Sequence, residues 1–75
     1  MKHNRFWVAR DRDGDLYLYD SRPRLLKDEG SFFSYGFWEL SKDLFPSLTF
    51  ENSPKEICFI NKDNEIFEAT LLDKR

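Results

Sequence analysis

Three aspartates surround a glycine near the start of the chain, and clusters of carboxylates can bind calcium. Asp11, Asp13 and Asp15 stand at alternate positions, with Gly14 just before the last. Calcium prefers several carboxylate oxygens, but an EF-hand loop has its glycine at the sixth position and a glutamate at the twelfth. Counted from Asp11, the glycine here is fourth and Arg22 is twelfth. The spacing therefore predicts a turn and no metal site.

The sequence shows no recognisable catalytic combination of a nucleophile with a base. Cys58 would need a neighbouring base or cation to become a reactive thiolate, and the one histidine, His3, lies at the start of the chain. A buried structural thiol is the ordinary role of a free cysteine, and His3 is expected to be solvated. The acidic pair Asp28-Glu29 falls in a predicted loop with no sign of a pocket. We predict no enzyme activity, no catalytic residue and no cofactor.

Aromatic side chains offer the sharper functional candidate. The chain has eight Phe, three Tyr and two Trp. Trp, Tyr and Arg are enriched at the energetic centres of protein interfaces, and rings on a sheet can also stack on nucleic-acid bases. The alternative is that these rings complete the core or line a homodimer seam. The candidate partner-binding residues are Trp7, Arg10, Tyr17, Tyr19, Phe32, Phe33, Tyr35 and Trp38.

A β-hairpin is predicted to position the first of these residues. Residues 7–10 and 16–19 are β-rich and flank a glycine-containing turn, which is typical of a hairpin. A two-residue loop at Asp13-Gly14 and a three-residue loop at residues 12–14 are both possible, and they place opposite sets of side chains together.

We favour the three-residue loop, closed by Gly14 in the left-handed region, because it separates purely apolar side chains from amphipathic rings. One face then carries Phe6, Val8, Leu16 and Leu18, and the other carries Trp7, Ala9, Tyr17 and Tyr19. The two-residue loop would instead group Trp7, Ala9, Leu16 and Leu18.

The rest of the chain predicts short strands separated by turns. Ser21-Arg22-Pro23 ends the second strand near Asp20, and residues 24–36, which mix aromatics with turn formers, are predicted to be a long loop. Ser41 is a candidate cap for one helical turn over residues 42–45, which Pro46 would stop. The remaining predicted segments are a strand at 37–40, an extended stretch at 48–50, a turn at 51–54, and a closing hairpin with strands at 56–60 and 65–72 around a turn at 61–64.

These elements predict a mainly β fold, a β-rich α+β domain spanning residues 1–75. It would be a small antiparallel meander of four to five strands with one short helical turn. The net charge of −2 argues against a dedicated nucleic-acid binder and against an acidic DNA mimic. The single cysteine fits a reducing compartment, and no apolar stretch approaches 20 residues, so we expect a cytoplasmic protein without a membrane segment.

The order of several short motifs resembles a group of small uncharacterised proteins encoded by bacteriophages and mobile elements of gut Bacteroides-type bacteria. The resemblance covers most of residues 6–56, and the segment from Asn61 to Leu72 departs from it. It implies a genomic context and no functional residue. The motifs are Trp7-Val8-Ala9-Arg10-Asp11, Asp13-Gly14, Leu16-Tyr17-Leu18-Tyr19, Leu44-Phe45-Pro46, Leu48, Phe50-Glu51, Pro54 and Glu56.

Taken together, these features favour a non-enzymatic phage or mobile-element accessory protein that binds another protein, with modulation of a host process as the expected outcome. Two alternatives remain open: a single-stranded nucleic-acid binder that uses the same rings, and a small structural component that self-associates. We expect an unidentified protein partner or a second copy of the chain, with nucleic acid less favoured because the net charge is slightly negative.

Overall fold

The described part of the chain forms seven β-strands. A computed structural model describes the backbone of residues 5–62 and 66–72 and the side chains of residues 5–57, and this part of the chain contains no helix. The strands are β1 (Phe6–Arg10), β2 (Leu16–Tyr19), β3 (Arg24–Leu26), β4 (Ser31–Phe33), β5 (Phe37–Leu40), β6 (Lys55–Lys62) and β7 (Ile66–Leu72). The predicted mainly β, antiparallel class is confirmed.

The first hairpin has the three-residue loop that the sequence favours. Trp7 pairs with Tyr19, Arg10 pairs with Leu16, and the Asp11 N–H donates to the Asp15 carbonyl at 2.8 Å. Gly14 has φ +101°, a region that side chains strongly disfavour. The predicted separation of apolar side chains from amphipathic rings on the two faces is therefore confirmed.

The strand order makes the main sheet a Greek key extended by one strand. All five strands are antiparallel, in the order β5-β2-β1-β6-β7. Strands β1, β2 and β5 are successive neighbours, and a long connection then returns β6 to the far side of β1, which is the 4-1-2-3 arrangement. The architecture thus has more strands than predicted and a long crossover in place of a simple meander.

Residues 24–36, predicted to be a loop, contain a second hairpin. Strands β3 and β4 pair antiparallel, and Gly30 turns the chain between them with φ +67° while its N–H donates to the Leu26 carbonyl at 2.9 Å. The prediction was wrong because strands of three residues are too short to show an alternating pattern.

The crossover, residues 41–54 between β5 and β6, contains turns where a helical turn and an extended stretch were predicted. The Leu44 N–H donates to the Ser41 carbonyl at 3.2 Å and closes a single turn. Phe45 has φ +51°, which is outside the helical region, so no helix continues from this turn. Thr49 and Asn52 form a reciprocal pair, each side chain accepting the other's N–H at 2.7 and 3.2 Å. Side chains that bond the local backbone in this way compete with regular structure.

The closing hairpin is confirmed at the level of the backbone. Strand β6 pairs with β7 from Glu56 opposite Leu72 to Lys62 opposite Ile66. The first two residues of the turn predicted at 61–64, Asn61 and Lys62, belong to β6 instead. Residues 63 and 64, His3 and the Cys58 side chain lie outside the described part of the chain. The rest of that turn, the solvation of His3 and the burial of the Cys58 thiol therefore stay predictions.

The centre of the sheet is covered on both faces. The aliphatic face packs Val8, Leu16 and Ile57 against Leu48 from the crossover. The aromatic face packs Ala9 and Tyr19 against Phe32 from β4. The crossover therefore seals one face and the second hairpin seals the middle of the other.

The Arg10 side chain, on β1, forms hydrogen bonds with the backbone of the crossover. Its guanidinium has five N–H donors, and each has a backbone carbonyl oxygen as acceptor. The acceptors are Leu48 at 2.6 Å from Nε, Gly14 at 2.9 Å and Lys42 at 3.2 Å from Nη1, and Leu44 at 2.9 Å and Phe45 at 3.1 Å from Nη2. One side chain thus satisfies main-chain acceptors in a segment without regular structure.

Replacing Arg10 with lysine should destabilise the protein without removing its charge. A lysine ammonium group cannot reproduce the planar set of five N–H donors of the guanidinium, so part-buried carbonyls would lose their partners. We therefore expect a loss of about 2–4 kcal/mol in the free energy of unfolding. Urea denaturation measures this loss. The matched control Arg22→Lys, at an exposed residue, should change stability by less than about 0.5 kcal/mol. Equal stability of Arg10→Lys and the unmodified protein would contradict the assigned role.

Candidate aromatic binding surface

Three of the eight predicted binding residues serve the fold, and a fourth, Trp7, is half-buried. Tyr19 is 2% exposed and Phe32 is 8% exposed, and the Tyr19 hydroxyl donates to the Phe32 carbonyl at 3.1 Å. Both side chains are almost wholly buried, so their main role is in the core and not, as the sequence predicted, on an exposed contact surface. Arg10 is engaged by the crossover, and Trp7 is half-buried, packed against the Ala9–Tyr19–Phe32 cluster with the Arg5 guanidinium 5.3 Å from its ring centre.

The other four predicted residues are open to solvent to different degrees. Tyr35 is 92% exposed, Trp38 52% and Phe33 38%, whereas Tyr17 is half-buried. The sequence analysis missed Phe37, which is 51% exposed. Phe37 pairs with Tyr19 across β2 and β5, and this register was the information needed to place it on the aromatic face.

We define the aromatic surface as the rings of Tyr17, Phe33, Tyr35 and Phe37. Tyr17 and Phe37 meet edge to face with ring centres 5.9 Å apart and an interplanar angle of 83°. Phe33 and Tyr35 do the same at 5.3 Å and 74°. Edge-to-face packing is a favourable arrangement of aromatic pairs, so each pair holds its rings in place while leaving apolar area exposed.

An open groove of about 210 Å³ lies between the main sheet and the second hairpin. Tyr17 and Phe37 line it from the sheet, and Ser31 and Phe33 line it from β4. Asp11 also lines the groove, and the buried Tyr19 and Phe32 complete its walls. The arrangement can accept an apolar side chain flanked by rings.

Trp38 does not belong to this surface. It pairs with Leu18 across β2 and β5, and Leu18 packs with the aliphatic cluster. Since paired residues project to the same side of a sheet, Trp38 lies on the opposite face from Phe37. The predicted set of rings is therefore divided between two faces.

The groove is lined by an acidic group. The carboxylate of half-buried Asp11 accepts the Phe32 N–H at 3.2 Å. Burial raises the pKa of Asp11, the neighbouring Asp13 and Asp15 raise it further, and the bond from Phe32 opposes the shift. Burial also raises the pKa of the Tyr17 hydroxyl, with Glu39 adding to the effect.

Basic groups stand on the other side of Phe33. Arg22 and Arg24, both exposed, line a second open cavity of about 320 Å³ together with Phe33, Ser34 and Tyr35. Ser34 is buried and its hydroxyl lies 2.6 Å from that of Ser21. The aromatic surface is thus bordered by an acidic group and by two cations.

Other chemistry is not visible in the described part of the chain. Within residues 5–57, no group of three or more His, Cys, Asp or Glu side chains could hold a metal ion. No helix in the described ranges has the length and apolar character that crossing a membrane requires.

Comparisons with known proteins identify no relative. No family model matches the chain, and neither a curated protein nor a solved structure matches it.

The pKa of Asp11 gives a testable pH dependence. A carboxyl group whose pKa is raised by folding is harder to ionise in the folded state than in the unfolded state. Its contribution to the free energy of unfolding therefore falls as pH rises from the ordinary pKa of 3.8 through the raised pKa. Asp11→Asn keeps an oxygen to accept the Phe32 N–H and cannot ionise. We expect this variant to be at least as stable as the unmodified protein at pH 7 and to lose its share of the acid-range pH dependence, measured by urea denaturation from pH 3 to 7.

Asp11→Ala is the matched control, because it removes both the charge and the acceptor. If Asp11→Ala is less stable than Asp11→Asn at pH 7, the difference measures the hydrogen bond from Phe32 separately from the effect of ionisation. An unchanged pH profile in Asp11→Asn would contradict the assignment of the shift to this carboxyl.

Proposed function

We propose that the protein is a non-enzymatic binding protein whose aromatic surface takes a segment of a partner protein. The observation that carries this proposal is the exposure of Tyr35, 92%, beside the half-exposed rings of Phe33 and Phe37. Rings of this kind contribute strongly to binding when a partner removes them from water. Contiguous exposed apolar surface on a small protein is typical of an interaction site.

The size of the groove favours a protein side chain over a free small molecule. Pockets that hold small molecules commonly have about 300–1,000 Å³ and enclose most of the ligand, whereas the groove beside Tyr17 and Phe37 has about 210 Å³ and is open. A single apolar side chain of a partner would fit such a site as an anchor, while the rings around it contact the flanking residues.

The charges bordering the aromatic surface suggest the chemistry of that segment. Arg22 and Arg24 would pair with acidic groups beside the apolar anchor, and Asp11 would accept hydrogen bonds from the segment's other end. Charge complementarity of this kind chiefly sets orientation and the rate of association. The proposed partner segment is therefore apolar at its centre and acidic on the side of Phe33.

The biological setting is also a proposal. The resemblance of residues 6–56 to proteins of phages and mobile elements supports an accessory role in a bacterial host, with action in the cytoplasm on a host or phage protein.

Site-specific photocrosslinking in a host lysate tests the proposal. A photoreactive phenylalanine analogue at position 35 should capture a discrete protein partner, because this ring is the most exposed of the surface. The partner's binding should weaken at least tenfold in Tyr35→Ala, measured by titration of the purified pair. The matched control is Leu44→Ala, at a comparably apolar exposed residue in the crossover, which should leave the affinity within twofold.

Three outcomes would overturn the proposal. One is the absence of a discrete crosslinked protein, and another is equal loss of affinity in both variants. The third is tighter binding of labelled single-stranded oligonucleotides than of any protein, with an affinity that falls steeply with salt, which would assign the same rings to nucleic acid.

A further inference from the structure

Strand β5 is an edge of the main sheet, and one row of its main-chain groups faces outward. The Asp20 N–H donates to the Gly36 carbonyl at 3.1 Å. Because positions in an antiparallel pair alternate between bonded and non-bonded, Trp38 and Leu40 direct their main-chain groups toward β2. The N–H and C=O groups of Phe37 and Glu39 point away from the sheet.

This edge lacks several of the features that usually prevent strand pairing. Natural edge strands are protected by short length, charged side chains, especially lysine, proline, bulges or a covering segment. Strand β5 has four residues and one charged side chain, Glu39. Residues Phe37–Leu40 contain neither lysine nor proline, and they pair with β2 in continuous register without a bulge. Phe37 and Trp38, each about half exposed, present apolar rings on both faces of the same strand.

We propose that β5 pairs antiparallel with β5 of a second copy of the chain, forming a two-fold symmetric dimer with one continuous sheet. A two-fold axis can bring the outward groups of Phe37 and Glu39 together in three registers. Pairing Glu39 with Glu39 of the second copy sets like charges opposite each other, which is unfavourable. Pairing Phe37 with Phe37 of the second copy sets Trp38 opposite Gly36 of the second copy, which has no side chain for the Trp38 ring to contact.

The remaining register pairs Phe37 with Glu39 of the second copy and centres the axis on Trp38. The two Trp38 residues then form a non-bonded pair, the position at which Cα atoms approach to about 4.5 Å and side chains are closest. Cross-strand aromatic pairs stabilise sheets. This register uses all four outward main-chain groups of each strand and covers the exposed Trp38 ring.

Charges of both signs lie at each end of β5. Arg22 and Arg24 lie around Ser34 and Tyr35, just before β5, and the Asp20 carboxylate lies beside Gly36. Glu39 and Asp43 are the acidic residues at its other end, where Lys42 pairs with Asp15 at 3.2 Å. Antiparallel pairing sets the first end of one copy beside the second end of the other, so neither end meets charges of one sign alone.

The dimer would also place two aromatic surfaces on one side of the joined sheet. A two-fold axis perpendicular to a sheet keeps equivalent faces on the same side, and Phe37 belongs to both the edge and the aromatic surface. A partner with two binding segments would then be held through both copies, which raises the overall affinity without a new contact. This inference does not rest on the identity of that partner.

A charge-swap experiment at position 38 tests the dimer and its register together. Sedimentation equilibrium over a range of protein concentrations should show the unmodified chain passing from monomer to dimer. Trp38→Lys and Trp38→Glu, each measured alone, should remain monomeric, because each sets two like charges opposite each other at the axis. A 1:1 mixture of the two variants should recover a heterodimer, since the opposed charges now attract.

Matched controls keep the result interpretable. Leu44→Lys and Leu44→Glu make the same exchanges at another exposed apolar residue and should dimerise like the unmodified chain. Circular dichroism should show the same folded spectrum for all four variants. A monomeric unmodified chain at every concentration would overturn the inference. Association that Trp38→Lys leaves intact, or the lack of a heterodimer in the mixture, would do the same.

Discussion

The guanidinium of Arg10 is the contact on which the topology depends. A Greek key needs a connection that leaves one edge of the sheet, passes over a face and returns a strand beside the first. In this chain that connection has no regular structure, so its carbonyls need partners of another kind. Arg10 supplies donors to four residues of the crossover and to Gly14 in the first turn. Leu48 can then pack into the aliphatic cluster, and Lys55 begins β6 opposite Val8.

The first turn also holds the second hairpin in place. The Arg12 N–H donates to the Gly30 carbonyl at 2.8 Å, and the Asp11 carboxylate accepts from Phe32. The Arg12 guanidinium lies 5.0 Å from the centre of the Phe50 ring, which in turn contacts Phe32 at 5.7 Å. The turn thus contacts the segments that cover both faces, and in a small domain such shared contacts compensate for a limited core.

The sequence predicts those elements whose signals are local. Gly14 sets the loop length of the first hairpin, and that loop length decides which rings share a face. The sequence does not reveal the hairpin of β3 and β4, because strands of three residues are too short to show an alternating pattern. It does not reveal the role of Arg10 either, because four of its five acceptors are backbone carbonyls of residues far along the chain. The sequence around an aromatic residue does not show whether a hairpin formed elsewhere in the chain will cover its ring. That is why Tyr19 and Phe32, grouped with Tyr35 in the sequence, are buried while Tyr35 is not.

The division between buried and exposed rings follows from the reach of the second hairpin. Three-residue strands cover only the centre of the aromatic face, where Tyr19 and Phe32 meet, and they leave the side of β5 open. Phe37 lies at that side and is both a wall of the groove and a member of the edge strand. Its main-chain groups are directed outward from the sheet, while its ring contacts Tyr17 and Tyr19. The proposed backbone pairing along β5 and the proposed side-chain binding in the groove would therefore use different atoms of the same residue. A strand added at the edge would extend the wall of the groove without occupying it.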